Sequence, residues 1–375
     1  MASVNVIKFL DKYFGFLLCS ILAIFSLLQS KKKKEYKSIL LIQLWGVGET
    51  ILCLPTITEL RKKYKKAKID VLTTDRTKDV FFQNKDIDSL RLVSLSPFSL
   101  LLFMLANFRK YDLIIDMEEY LNISAILAFF LGKQRIGYNH GMRCKLYTFK
   151  IQYNDQQHVS QTFMDLLSPL GIKKEIIELR KLNFSKEDAK SMIAMLKIIK
   201  PKKQIIALSP GAAESSKIRM WPNEKWAALI DLIHEKYDTT ILLIGAQDVV
   251  QTNNTIISLI KKEDQVHNVA GQTNLRELFA LISKIHLIIS IDSGPMHISA
   301  AQGIPTIGLF GPNTPVRFAP FGKGNISIYN PITKPVINVH KGEVPNHSTI
   351  DHMARVTVSE VMEAITKTHA LHQKH

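Results

Sequence analysis

Cysteine is scarce in this sequence. Three cysteines occur in 375 residues, and their wide spacing forms neither a disulfide framework nor a zinc-ligand pattern. A reducing compartment is therefore favoured. Collagen-like, coiled-coil and polytopic membrane proteins are excluded, because their repeats or multiple apolar spans are missing. A content of 46% hydrophobic and 22% charged residues excludes a disordered chain and is ordinary for a folded one.

Acidic residues are also in deficit. Lys and Arg number 49 against 33 Asp and Glu, which gives a formal net charge of +16. Such an excess indicates an anionic partner, and nucleic acid, a lipid headgroup or a phosphorylated metabolite would all fit. The sequence has no helix-turn-helix, zinc-finger or aromatic RNA-binding signature, so we expect no nucleic acid among its partners.

The N-terminal segment 1–35 differs from the rest of the chain. The stretch 14–28 is dense in Phe, Leu and Ile, and four lysines follow at 31–34. The apolar run is slightly shorter than the roughly 20 residues of a spanning helix. Lysines also stand where a secretory signal would have its small-residue cleavage site. We expect a hydrophobic helix that associates peripherally with the inner face of the cytoplasmic membrane. A spanning helix and a helix packed on the protein's own core are the alternatives.

The remaining chain alternates apolar strands with helices. Strands buried on both faces and separated by helices are typical of parallel sheets, so the fold class is α/β with two doubly wound, Rossmann-like domains facing a central cleft. The predicted domains are 36–185 and 200–350, joined by a charged connection that contains a helix at 186–199, and residues 351–375 form a C-terminal helix. The predicted strands are 38–44, 68–73, 111–116, 204–208, 240–245, 287–292 and 305–310.

The first strand runs into Gly46, Gly48 and Glu49. Two glycines before a helix allow a tight turn and close approach of a ligand. The third glycine of a dinucleotide fingerprint is missing, so a nicotinamide site is disfavoured. Glu49, in the first helical turn, either complements the helix dipole or serves as a general base.

Two later strands end in residues suited to phosphate. The first is followed by small residues and then by Ser215, Lys217 and Arg219, a set of hydroxyl and cationic donors. An ordinary polar loop is the alternative. The second runs into the start of a small-residue helix, which favours an anion. Its candidate residues are Asp292, Ser293, Gly294, Met296 and His297.

Three segments together resemble glycosyltransferase family 9, the heptosyltransferases. They are LLIQLWGVGETILCLP at 40–55, SPGAA with RMWP between 209 and 222, and IDSGPMHISAAQGIPTIGLFGPNTP at 291–315. The resemblance implies the GT-B fold, with an acceptor-binding first domain and a nucleotide-sugar-binding second domain. It also implies an inverting, metal-independent enzyme that transfers heptose from ADP-heptose to a lipopolysaccharide core or another lipid-linked glycan. No cofactor is expected beyond the nucleotide sugar, and the partners are this donor, a phosphorylated glycolipid and the membrane surface.

The resemblance also assigns roles to residues. Glu49 stands where the family usually has an aspartate base, and Arg219 stands where it has a diphosphate-binding lysine, a task that Lys217 could share. The family often has a ribose-binding acid near Gln247. The donor diphosphate would lie on Asp292, Ser293, Gly294, Met296 and His297. Two alternatives stay open: a GT-B enzyme with a different donor or epimerase activity, and a catalytically weak relative that binds glycolipid or nucleotide sugar.

Overall fold

The computed structural model describes residues 9–26, 35–176, 178–212, 214–261, 263–337, 345 and 348–373, with backbone alone at 214–216. These residues divide into two compact units, the first ending at Ile176 and the second beginning at residue 178. Each unit contains a six-stranded sheet in which all the paired strands are parallel. The predicted α/β class with two doubly wound sheets is confirmed.

The sheet of the first unit has the strand order β3-β2-β1-β4-β5-β6. Leu41 at the centre of β1 pairs with Val71 of β2 and Ile115 of β4, and all three are buried. The strands are β1 Ser38–Ile42, β2 Lys68–Thr73, β3 Ser89–Leu92, β4 Tyr111–Asp116, β5 Gly132–Tyr138 and β6 Phe149–Ile151. The helices are α1 Phe16–Ser26, α2 Val47–Lys63, α3 Pro97–Ala106, α4 Asn122–Leu131 and α5 Val159–Asp165.

Helices cover both faces of this sheet. On one face, α2 packs on α5. On the other, α1, α3 and α4 share one hydrophobic cluster with strands β1 and β4; Cys19, Leu100 and Leu127 represent the three helices in it. The unit therefore has the three-layer architecture that a sheet buried on both sides requires.

The N-terminal segment is attached to this second face. A π-helical turn, Asp11–Gly15, precedes α1, and the Asp11 carboxylate accepts hydrogen bonds from the backbone N–H groups of Asn122 and Ile123 at 2.9 and 2.7 Å. An apolar helix lies at Phe16–Ser26, and its association with a membrane stays a prediction. Residues 27–34, with the four lysines, lie outside the described residues. In the part of the chain that the structure describes, no helix is long and apolar enough to cross a bilayer.

The sheet of the second unit has the strand order β12-β11-β10-β7-β8-β9. Ile289 of β10 pairs with Leu208 of β7 and Ile307 of β11. The strands are β7 Gln204–Ser209, β8 Thr239–Leu243, β9 Val266–Asn268, β10 Leu287–Ile291, β11 Thr306–Phe310 and β12 Ile326–Tyr329. The helices are α6 Lys186–Ile199, α7 Asn223–Lys236, α8 Val250–Leu259, α9 Leu275–Ile282, α10 Gly294–Gln302, α11 Pro315–Phe318 and α12 Val358–Thr368.

The first and last helices of this unit pack on its body. Helix α6 begins at a capping box formed by Ser185 and Asp188, and Arg276 of α9 donates to Asp188 at 3.0 Å. Helix α12 packs on α7, and the Trp221 indole N–H donates to the carbonyl of Val356 just before it. Both helices are therefore built into the second unit.

The strand order reverses once in each sheet. In the first unit the reversal lies between β1 and β4, and in the second between β7 and β10. In doubly wound sheets, ligands bind beyond the carboxyl ends of the strands at this switch point. The loops after these four strands therefore form the candidate site of each unit.

Candidate active site

Glu49 lies in the first turn of α2, directly beyond the carboxyl end of β1. Gly46 caps the helix with φ of +78°, a left-handed conformation that favours glycine. A Cβ at Gly46 would stand 1.9 Å from Oε2 of Glu49. Gly46 thus meets two requirements at once: its backbone makes the turn, and its missing side chain leaves room for the Glu49 carboxylate. Gly48 lies within the first turn.

A second acid, Glu118, holds the loop that leads to Glu49. Its buried carboxyl group accepts hydrogen bonds from the backbone N–H groups of Leu44 and Trp45 at 2.5 and 2.9 Å. Burial, with a smaller contribution from the nearby Asp116 carboxylate, raises the pKa of Glu118 to about 8. Glu118 lies after β4, so its contacts join the two loops at the switch point of the first sheet.

The loop that carries Glu118 is fixed by a buried polar network. Arg143 donates to the Asp116 carboxylate at 2.8 Å and to the carbonyl of Glu118 at 2.6 Å. Tyr147 and Ser124 also donate to Asp116, at 2.6 and 2.8 Å. A buried ion pair resists disruption when hydrogen bonds satisfy its remaining polar atoms. The network therefore gives the Glu49 loop a rigid support.

Tyr120 belongs to the same loop and stands in the field of Glu49. Burial raises its pKa above the usual value, and the carboxylates of Glu118 and Glu49 raise it further. Its hydroxyl group therefore stays protonated and can donate a hydrogen bond. Neither Glu118 nor Tyr120 is predicted from the sequence. Their position in the loop after the predicted strand 111–116 was the available signal.

In the second unit, three loops meet at Asp292. Arg219, after β7, donates from Nη1 to the carbonyl of Asp292 at 3.0 Å, and the same atom lies 3.4 Å from the Asp292 carboxylate. Asn313, after β11, donates to that carboxylate at 2.8 Å. Asp292 thus orients Arg219, and the structure brings together two of the predicted site residues. Asn313 lies within the third motif, but no role for it is predicted from the sequence.

His297 is buried in the first turn of α10. Burial lowers the pKa of His297 to about 4. The Asp292 carboxylate opposes this shift, and the Arg219 guanidinium adds to it. The imidazole is therefore neutral at pH 7. Among the described residues, neither its Nδ1 atom nor Nε of Arg219 has a hydrogen-bond partner, although both are buried. Two buried polar atoms without a hydrogen-bond partner at a switch point indicate a position where a ligand binds.

The start of α10 completes this site. Ser293 is its N-cap, yet its side chain makes no capping bond and instead lies 3.1 Å from the Ser290 hydroxyl. Gly294 is the first residue of the helix. The Met296 side chain is buried against Gly308, and its N–H donates to the carbonyl of Ser293. The Met296 side chain therefore belongs to the core, and its N–H is bonded within the turn.

The other predicted donor residues lie further out. Lys217 is exposed at the end of a 3-10 turn, Glu214–Arg219, and the side chain of Ser215 lies outside the described residues. Gln247 is exposed after β8, and its amide lies over Gly271, where a Cβ would stand 2.2 Å from Oε1. In the described ranges, no three His, Cys, Asp or Glu side chains cluster as a metal-ion site would require.

Comparison with known proteins gives a consistent result. Residues 107–347, more than half of the chain, match the family model of glycosyltransferase family 9 (heptosyltransferase). Lipopolysaccharide heptosyltransferase 3 of Escherichia coli is 26% identical over 299 residues, which cover 75% of this chain and 86% of that protein.

Solved structures share the fold. The glycosyl transferase family 9 protein of Veillonella parvula has a TM-score of 0.74 at 19% identity, covering 89% of this chain and 97% of the other. The E. coli heptosyltransferase WaaC with ADP has a TM-score of 0.67 at 17% identity, covering 88% and 99%. With motifs, fold and family model in agreement, the chain is an enzyme and belongs to glycosyltransferase family 9, the heptosyltransferases.

Proposed function

We propose that this enzyme transfers a heptose, or a related sugar, from an ADP-activated donor to a lipopolysaccharide core or another lipid-linked glycan. One observation carries the donor assignment: Arg219 Nε and His297 Nδ1 are buried without a partner among the described residues, beside the start of α10. A helix N-terminus with a neighbouring guanidinium is suited to a diphosphate. The relatives support the donor and acceptor classes, because their names include ADP and lipopolysaccharide.

In this proposal the two units divide the substrates as in a GT-B enzyme. The second unit holds the nucleotide sugar through Arg219 and the first turn of α10, with Lys217 and Ser215 completing the phosphate contacts and Gln247 near the ribose. The first unit presents the acceptor hydroxyl to Glu49, with Tyr120 as a hydrogen-bond donor beside it.

The proposed reaction inverts the configuration at the anomeric carbon and needs no metal ion. Glu49 takes the proton of the acceptor hydroxyl as its oxygen bonds to the anomeric carbon. On the opposite face, the bond from this carbon to the β-phosphate oxygen breaks, and ADP leaves with the electron pair. Arg219 and the α10 amides stabilise the charge that develops on the leaving group. Asp292 keeps Arg219 in place for this task.

Substitution of Glu49 tests the proposed base. We expect Glu49→Gln to lower transfer by roughly 10²- to 10⁴-fold, because general base catalysis contributes about this much. ADP affinity, measured by calorimetry, should stay unchanged, since the donor residues belong to the other unit. Glu49→Asp keeps the acid and should restore part of the rate. Transfer by Glu49→Gln at the wild-type rate would refute the assignment.

A donor with a different nucleotide is the second candidate, and Gln247 is the observation that favours it. The residue is an amide at a position where the resemblance implies an acid. The same transfer assay, run with ADP-, UDP- and GDP-linked sugars, separates these candidates by kcat/KM. Donor binding without transfer to a broad set of acceptors would instead identify a catalytically weak relative.

The proposed location is the inner face of the cytoplasmic membrane. The acceptor is lipid-linked, and the N-terminal segment combines an exposed apolar helix with the lysines at 31–34. Such a segment can lie in the interface of an anionic bilayer.

A further inference from the structure

Helix α3 presents an apolar surface that neither the motifs nor the proposed reaction uses. Phe98 is 72% exposed and Leu105 is 68% exposed, with Leu101 and Leu102 exposed between them. Just beyond the helix, Phe108 is also exposed. An isolated apolar side chain on a surface is normal, but a contiguous set marks an interaction site.

The same helix is apolar on its other side. Leu100 is buried in the hydrophobic cluster over the sheet, and Phe103 and Met104 pack against it. A surface helix usually has a polar face opposite its buried stripe, whereas a helix that is apolar all round is surrounded by apolar material. Helix α3 therefore has a protein core on one side and needs a second apolar environment on the other.

Helix α1 is built in the same way. It packs on the same cluster through Cys19, Leu22 and Ala23. Its remaining large apolar side chains are exposed: Phe16, Leu17, Leu18, Ile21, Ile24 and Phe25. Both helices contact α4 and cover the same face of the first sheet, so their exposed side chains belong to one side of this unit.

The two stretches of sequence that contain these helices carry cations and no acids. The sequence contains no Asp or Glu from 12 to 34 or from 89 to 111. Arg109 and Lys110 follow α3 and are exposed. At the other helix, the Ser26 hydroxyl donates to the carbonyl of Lys145, which places this exposed lysine at the end of α1. An apolar surface bordered by cations complements the acyl chains and anionic headgroups of a bilayer.

We propose that α1 and α3 together form a bilayer-docking surface, whose apolar side chains enter the headgroup–acyl boundary of an anionic membrane. The inference rests on the proposed function, because it extends the membrane contact from the N-terminal segment to the body of the acceptor-binding unit. A single helix would attach the enzyme to the membrane. Two helices on one face also orient the unit, so that the Glu49 loop is held at a constant height above the leaflet that contains the glycolipid.

Vesicle flotation of the full chain tests the role of α3. The probes are vesicles of phosphatidylcholine with one-quarter phosphatidylglycerol, beside vesicles of pure phosphatidylcholine. The test variant is Phe98→Ser with Leu105→Gln, two exposed positions of α3. The matched control is Ile198→Ser, which removes an apolar side chain that is 83% exposed on α6 of the second unit. We expect the α3 variant to partition on the order of tenfold more weakly, given the apolar area withdrawn from the membrane, and the control to bind like wild type.

Four other results would overturn the proposed docking surface. Wild-type partitioning by the α3 variant would overturn the inference and leave α1 as the sole membrane contact. No binding of the wild type to either vesicle would overturn the membrane location as well. Concentration-dependent dimerisation in light scattering, abolished in the α3 variant, would overturn the inference in favour of a second copy of the chain. Transfer to a detergent-solubilised acceptor should persist in this variant. Its loss, with an unchanged circular dichroism melt, would overturn the inference by tying α3 to the reaction itself.

Discussion

Glu118 is a buried acid whose ionisation opposes folding. Burial, together with Asp116, raises its pKa from 4.5 to about 8. Between these values the folded state keeps a proton that the unfolded state has released, so the free energy of unfolding falls as the pH rises. This stabilising contribution is fully present below pH 4.5 and is lost through about pH 8. We expect Glu118→Gln, which keeps an acceptor for Leu44 and Trp45, to flatten the pH profile of unfolding measured with urea.

The same substitution has a spectroscopic control. At neutral pH the wild type should show an infrared carbonyl band from a protonated carboxyl group, and Glu118→Gln should lack it. Equal pH slopes for the two proteins, with the band present in both, would contradict a neutral Glu118.

Some residues of the candidate site are predicted from the sequence and others are not, for a physical reason. Glu49, Arg219, Asp292 and His297 follow apolar strands in motifs that can be recognised without a fold. Glu118, Tyr120 and Asn313 acquire their roles through neighbours distant in the chain: Glu118 contacts the Glu49 loop because β1 pairs with β4. Which strands pair is decided by tertiary packing, and a single sequence does not reveal it.

At the scale of the elements, Asp11 connects the N-terminal segment to the body of the first unit. Its carboxylate accepts from the first N–H groups of α4, where a negative charge also complements the helix dipole. We expect Asp11→Ala to destabilise this helix start by about 1 kcal/mol, as loss of an N-cap does. Hydrogen exchange at Asn122 and Ile123 should accelerate, and proteolysis of the N-terminal segment should become faster.

A matched control separates capping from charge. Asp75→Ala removes an exposed acid of the same unit, which forms an ion pair with Lys78 on the surface. It should leave exchange at the start of α4 unchanged. Equal protection in Asp11→Ala and wild type would mean that packing of α1 alone holds the segment.

Elements with strong apolar runs were predictable, and short or edge elements were not. The predicted helix at 186–199 has the bounds of α6, because Ser185 and Asp188 form a capping box. Strands β3 and β6 have only four and three residues and are largely half-buried. They therefore show little of the alternation between buried and exposed positions that predicts a strand. Helix α3 had a detectable signal, Ser96 as N-cap followed by Pro97, but its all-round apolar composition gives no helical periodicity.

The whole molecule contains two units of like architecture that carry different chemistry. Both sheets reverse at a switch point, where the candidate residues are Glu49 in the first unit and Arg219 with Asp292 in the second. Exposed cations lie beside α1 and α3 in the first unit, and Lys217 and Arg219 follow β7 in the second. Composition indicates an anionic partner, and the two proposals divide that expectation between a membrane and a diphosphate.

The proposed division of donor and acceptor between the two units predicts which unit ADP protects from hydrogen exchange. Arg219, Asp292 and His297 all belong to the second unit, so ADP should slow hydrogen exchange at the ends of β7 and β10 and at the start of α10. Protection at the Glu118–Leu44 contact should not change. At about 100 times its Kd, ADP should stabilise the state that binds it by about 2.7 kcal/mol. Arg219→Ala should abolish this protection, because the guanidinium is the charged donor at that edge. Protection by ADP that is confined to the first unit would reverse the proposed assignment of donor and acceptor.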